Sequence, residues 1–212
     1  MEIKVVKNIR EANEVIAAQN RAVFDQKGIY VINLMGGPGA GKTTLLERSI
    51  EHLKGKRRMA VIEGDIATCR DAERIAAYDI PAVQINTGGA CHLDGNMVKR
   101  GLEDLDLEQI DLLIVENVGN LVCPAEFVIG EDAKVTIVSV TDGDDKPLKY
   151  PLIFQVSSIL LLNKIDLLPY LDFDMDKFRA ETLSINPHVS IVPISCKTGT
   201  GLDEWFQWLE EV

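Results

Sequence analysis

The chain has no long apolar run, no excess of positive charge, no cysteine framework and no internal repeat. Each absence removes a class of protein. No stretch reaches the roughly 18–20 apolar residues that a membrane helix needs. The first residues do not follow the basic, apolar, small-residue order of a secretory signal, so a cytoplasmic location is expected. Lys and Arg number 22 against 33 Asp and Glu, a net charge of −11. That sign argues against non-specific binding to nucleic acid or to an anionic membrane. The four cysteines, at 69, 91, 123 and 196, are expected as thiols or metal ligands before disulfides. Residues 1–28 contain neither cysteine nor histidine. With no linker or low-complexity segment, one domain over 1–212 is expected, residues 1–28 forming an extension helix ahead of a main body at 29–212.

What is present has a regular alternation. Residues 9–26 carry helix-spaced apolar positions. Strand-like segments recur at 29–34, 58–63, 81–86, 111–116, 134–140, 158–162 and 189–194. Helical stretches fall at 43–54, 69–78, 95–105, 148–155, 174–184 and 202–211. Strands such as Leu112–Val115 and Ile159–Leu162 are apolar throughout, which suits a sheet covered on both faces. The expectation is an α/β fold, a single P-loop NTPase domain with a mostly parallel sheet, helices on both faces and an extra N-terminal helix. Ligands of such sheets bind at the strands' carboxyl ends.

Residues 36–43, Gly-Gly-Pro-Gly-Ala-Gly-Lys-Thr, match the phosphate-loop pattern G-x-x-x-x-G-K-[ST] between a strand and a helix. Backbone around Gly37, Gly39, Ala40, Gly41 and Thr44 is expected to cradle phosphates at the helix N-terminus. Lys42 should reach the β- and γ-phosphates, and the Thr43 hydroxyl should ligate magnesium. Asp65 and Glu116 end strands and are candidates to hold that magnesium with Thr43. Gly119 is placed to approach the γ-phosphate. Asp71 either orients the attacking water or is a surface helix acid. No glutamine stands where small signalling GTPases orient water, so slow hydrolysis is expected, roughly 10⁻⁴–10⁻² per second.

Asn163-Lys-Ile-Asp166 follows an apolar strand. A carboxylate at Asp166 can accept from guanine N1–H and the exocyclic amine, a donor pair that adenine lacks. Asn163 is expected at the base edge, with the Lys164 stem over its face. Ser195-Cys196-Lys197 forms a following loop whose backbone N–H groups would contact the base. The order of the three motifs favours GTP over ATP.

Cys91 and His92 sit side by side, and Cys123 lies beyond Glu116. Thiolate with imidazole suits zinc, nickel or copper rather than magnesium. Three ligands do not close a tetrahedral site, so water or a second subunit would complete it. The residues alone also allow a buried core cysteine, an exposed His92 and a loop cysteine with no shared function.

Four stretches, at 36–44, 63–68, 88–94 and 116–127, together with 141–151, resemble the hydrogenase nickel-incorporation GTPases, the HypB family. The resemblance covers essentially the whole chain. The Cys-Pro-His motif of the related urease nickel GTPases is absent. The resemblance implies a GTPase that delivers nickel to the [NiFe]-hydrogenase large subunit during maturation. It implies a nickel or zinc site at Cys91, His92 and Cys123, a GTP-promoted homodimer, and a small nickel-binding partner of the HypA type. It also implies that Lys149 reaches the partner subunit's nucleotide, where a plain surface lysine is the alternative. Residues 1–28 lack the family's N-terminal cysteine cluster or histidine tract, so only the switch-linked metal site is expected. The competing readings are a regulatory GTPase with a structural zinc at its dimer interface and a small-molecule kinase.

Overall fold

The computed structural model describes residues 8–65, 74–75 and 77–212. Seven strands form one sheet: β1 (Tyr30–Gly36), β2 (Met59–Asp65), β3 (Ala82–Asn86), β4 (Leu112–Glu116), β5 (Ala133–Ser139), β6 (Ile159–Asn163) and β7 (Ser190–Pro193). The order is β3-β2-β4-β1-β5-β6-β7. Every pairing within the sheet is parallel, beyond the mostly parallel expectation. An isolated antiparallel bridge joins Gly36 to Asn120.

Period-two alternation divides each buried strand between the two faces. Ile32, Ile114, Val61, Val135 and Leu161 point to one side and share a core with Trp205 and Leu209. Helices α2 (Lys42–Leu53) and α8 (Leu202–Glu211) cover that side. Val31, Leu113, Ala60 and Ile62 point to the other, against Phe24 of α1 (Asn8–Lys27) and Val98 of α3 (Gly95–Leu102). Further along the same face, Met35, Val138 and Leu160 pack on Phe154 and Phe178. The extension helix is therefore built into the core, Phe24 being fully buried.

One expected helix divides, and one short helix adds to those expected. The helix expected at 148–155 is two short ones, α5 (Lys146–Lys149) and α6 (Pro151–Gln155). Pro151 disfavours helical backbone at the residue before it, and Tyr150 takes φ −131° and ψ 56°. The 116–127 run contains a one-turn helix, α4 (Cys123–Glu126), with Pro124 in its first turn. Of the helix expected at 69–78, residues 69–73 and 76 lie outside the described residues, and with them Asp71 and Cys69. Helix α7 (Met175–Ile185) falls where expected, capped by Asp174 accepting from Lys177 N–H.

Candidate nucleotide and metal site

The parallel sheet brings the carboxyl ends of β1, β2 and β4 to one edge, where a cleft of 430 Å³ opens. The phosphate loop forms one wall. Gly41 takes φ +105°, a conformation that L side chains rarely adopt. A Cβ there would also lie 2.3 Å from Asn163 Nδ2. Gly41 caps α2 without a side-chain hydrogen bond, so the helix start presents its N–H groups as an anion site needs. Gly39, Lys42, Thr43 and Thr44 line the cleft. Lys42 Nζ folds onto the carbonyls of Gly36 and Gly37, at 3.5 and 3.4 Å.

Opposite stand acids. Thr43 Oγ1 donates to Glu116 Oε1 at 2.9 Å, both residues being buried. Glu63 is the cross-strand partner of Glu116 and is equally buried. Asp65, half-buried at the end of β2, also lines the cleft. Two carboxylates side by side away from water call for positive charge. Hard oxygen donors beside a phosphate cradle are what magnesium takes, so this set fits it. Glu63 was not singled out from the sequence, although its place at a strand's carboxyl end was the available signal. Arg74 was missed too: it lines the cleft, reaches Thr44 Oγ1 at 3.4 Å and pairs with Glu47.

The base-reading motifs also meet. Ser195 Oγ donates to Asp166 Oδ1 at 2.7 Å and accepts from Thr198 N–H. Lys164 Nζ reaches the Gly39 carbonyl at 2.6 Å, while Lys197 is exposed. Asn163, expected at a base edge, does something else here. Its Nδ2 donates to Ala40 O at 2.9 Å and its Oδ1 accepts from Cys196 N–H at 3.1 Å. It thus ties the phosphate loop to the base loop, and the Cys196 N–H expected to face the base is spent on it. The Cys196 side chain lies in the core, where burial pushes its thiol up to about 12. Lys149 is exposed and pairs with Asp145 on its own chain.

Cys91, His92 and Cys123 converge, their ligand atoms all within 4.8 Å of one another. Cys91 Sγ and Cys123 Sγ share a hydrogen bond at 2.8 Å, which holds the Cys123 proton when Cys123 is the donor. That hydrogen bond, and then burial, push the Cys123 thiol above its usual value. Burial lowers the pKa of His92, favouring the neutral ring that binds metals. His92 stacks on Phe127, ring centroids 3.9 Å apart. Among the described residues this is the one cluster of three Cys, His or acidic ligands.

The two sites touch through a few buried atoms. Asn117 follows Glu116, and its Oδ1 accepts from Leu93 N–H at 2.9 Å, one residue past His92. Its Nδ2 donates to Asn33 Oδ1. Asn120 N–H bonds Gly36 O, and its Nδ2 reaches Cys91 O at 3.3 Å. Between them, Gly119 lies so near Pro38 that a Cβ would come within 3.0 Å of its Cα. The segment 117–123 thus contacts the phosphate loop and the Cys91–His92 loop, and it ends on Cys123.

A phosphate loop at the carboxyl edge of a parallel sheet, with carboxylates opposite, defines a P-loop nucleotide-binding protein. The family model described as "CobW/HypB/UreG, nucleotide-binding domain" matches residues 30–193. The hydrogenase maturation factor HypB of Azotobacter vinelandii is 50% identical over 208 residues, 98% of this chain and 69% of its own. A crystal structure of HypB from Helicobacter pylori in complex with nickel superposes with a TM-score of 0.90 at 36% identity, covering 94% of each chain. HypB from Archaeoglobus fulgidus gives 0.89 at 38% identity, covering 95% of this chain and 98% of that one. The chain belongs to the HypB family of hydrogenase maturation factors.

Proposed function

We propose that this protein is a GTP-hydrolysing nickel carrier that helps to load [NiFe]-hydrogenase during its maturation. The observation that carries the reading is the Cys91, His92 and Cys123 cluster joined to Glu116 by the segment 117–123. Nickel is the cargo, and the soft donor set suits it, as it also suits zinc.

Asp166, oriented by Ser195, reads guanine. Lys42 and the N–H groups at the start of α2 hold the phosphates. Magnesium, when bound, neutralises charge that builds on them. Thr43, Glu116, Asp65 and Glu63 offer oxygen donors to it. Loss of the terminal phosphate removes what Gly119 would rest against, and Asn117 and Asn120 carry the change to the ligand loops. Coupling of this kind is reciprocal, so metal occupancy alters nucleotide affinity in return. Three ligands leave the site open, which favours a transfer site completed by water or by a second copy in a homodimer. Lys149 is the cation that such a copy would present to the opposite nucleotide. A nickel-donating protein of the HypA type and the hydrogenase large subunit are the partners on either side of the transfer, in the cytoplasm. Among the described residues no helix is long and apolar enough to cross a membrane.

Nickel titration of the wild type against Cys91→Ser and Cys123→Ser, with melting temperature and GTPase rate read together, tests this. A carrier loses nickel binding in both variants while melting little changed. A large fall in melting temperature would favour a structural zinc in a regulatory GTPase.

A further inference from the structure

Helix α1 is distant in sequence from every ligand, yet it grips both loops that carry them. Asn13 and Asn20 stand two turns apart on one face, and both are buried. Asn13 Oδ1 accepts from Gly95 N–H at 2.7 Å, and its Nδ2 donates to Val128 O at 2.8 Å. Asn20 Nδ2 donates to Gly95 O at 2.8 Å and to Ile129 O at 3.1 Å. Gly95 lies three residues beyond His92, and Val128 five beyond Cys123. Each asparagine therefore spans the same gap that the metal ligands span.

The fit is close on both sides. A Cβ on Gly95 would lie 3.1 Å from Ala17 N, and one on Gly130 would lie 2.8 Å from Ala17 O. No side chain can be interposed between α1 and either loop at those points. The circuit then closes through the interior. Ile129 N–H donates to Glu131, Asn33 Nδ2 donates to Glu131, Asn117 Nδ2 donates to Asn33, and Leu93 N–H donates to Asn117. This buried ring starts and ends on the loop of His92. Satisfied polar networks of this kind hold one geometry, because breaking a link strands a buried partner.

We infer that Asn13 and Asn20 are positioning residues of the metal centre, setting the separation of Cys91 and His92 from Cys123 through Gly95 and Val128–Ile129. The inference rests on the reading of those three residues as nickel ligands. Neither asparagine touches the metal or the nucleotide cleft.

The test is nickel titration of the full chain, with Co²⁺ spectra as a probe of ligand geometry, for Asn13→Ala, Asn20→Ala and the milder Asn13→Asp. Asn13→Asp keeps the acceptor for Gly95 and replaces the donor to Val128 O with a second acceptor. Phe24→Leu serves as a control that loosens the same helix while leaving every hydrogen bond from Asn13 and Asn20 to the two loops in place. The expected result is nickel affinity lowered by about 10- to 100-fold, as for other groups that orient ligands. The cobalt bands should shift while GDP affinity stays at the wild-type value. Phe24→Leu should lower the melting temperature and leave the cobalt spectrum intact. Wild-type affinity and spectrum in all three asparagine variants would overturn the inference. So would an equal loss in Phe24→Leu. If Cys91→Ser and Cys123→Ser also bound nickel normally, the ligand reading itself would fall, a result distinct from failure of the asparagines alone.

Discussion

Replacing Asp166 by Asn should change which base this protein holds while leaving its fold alone. The carboxylate is half-buried, with Oδ1 accepting from the Ser195 hydroxyl at 2.7 Å. The Asn carboxamide has nearly the same shape, and the Ser195 hydroxyl can still donate to its oxygen. The stability cost is therefore small, within about 1 kcal/mol. Recognition is different. Two hydrogen bonds from guanine N1–H and N2–H to a charged acceptor contribute about 1.5–3 kcal/mol each. Their loss amounts to about 3–6 kcal/mol, or roughly a 10²- to 10⁴-fold weaker complex. Part of that is an amide donor now facing a base donor. Xanthine carries an oxygen where guanine has its amine, so Asp166→Asn should regain affinity for xanthosine diphosphate. Competition with a fluorescent nucleotide measures both, with melting temperature as the control. Unchanged GDP affinity, or a loss for guanine with no gain for xanthine, would refute the placement of the base at Asp166.

Four other expectations follow from buried groups. Asn117→Ala strands the N–H groups of Leu93 and Val118 and the Asn33 acceptor; it should reduce the difference in nickel affinity between GTP-analogue and GDP states, and an intact difference would show that the signal travels elsewhere. At pH 8 a thiol reagent should label Cys91 and Cys123 but not Cys196, whose thiol at about 12 is only about one part in ten thousand thiolate at that pH; peptide mapping reads this directly. The same thiol keeps its proton when folded but loses it near 8.5 when unfolded, so it makes stability fall as pH rises from there towards 12, and Cys196→Ala should flatten that part of the denaturation profile. Trp205→Ala empties a fully buried position and breaks the indole bond to Ser49 Oγ at 2.9 Å; urea denaturation should show a loss of about 3–5 kcal/mol, and a loss below 1 would mean that the core there relaxes freely.

The features readable in the chain were local ones. The interior strands were visible because a parallel sheet buried on both faces demands continuous apolar runs, as at Leu112–Val115. The phosphate loop was visible because its chemistry needs a contiguous pattern. Pro151 was equally plain in the sequence, yet the helical apolar spacing of 148–155 hid the break at Tyr150. The polar interior was out of reach for a different reason. Asn20 and Gly95 are 75 residues apart, Asn33 and Asn117 are 84 apart, and Asn163 and Ala40 are 123 apart. An asparagine in a helix reads as a surface residue until its distant carbonyl is known. Glu63 was in plain view beside Asp65, but only the register with Glu116 shows that two carboxylates share one dry edge.

The strand that leads into Cys91 and His92 is β3, the rim of the sheet, bonded on one side only and partly exposed along its length. Cys123, by contrast, hangs from β4, deep in the middle. On the reading of these three residues as nickel ligands, the cargo would be held between an edge element and an interior one. Moving the outer one would disturb a single ladder of the sheet together with the bonds that Leu93 and Gly95 make to Asn117 and Asn13, and would leave the strands under the phosphate loop paired.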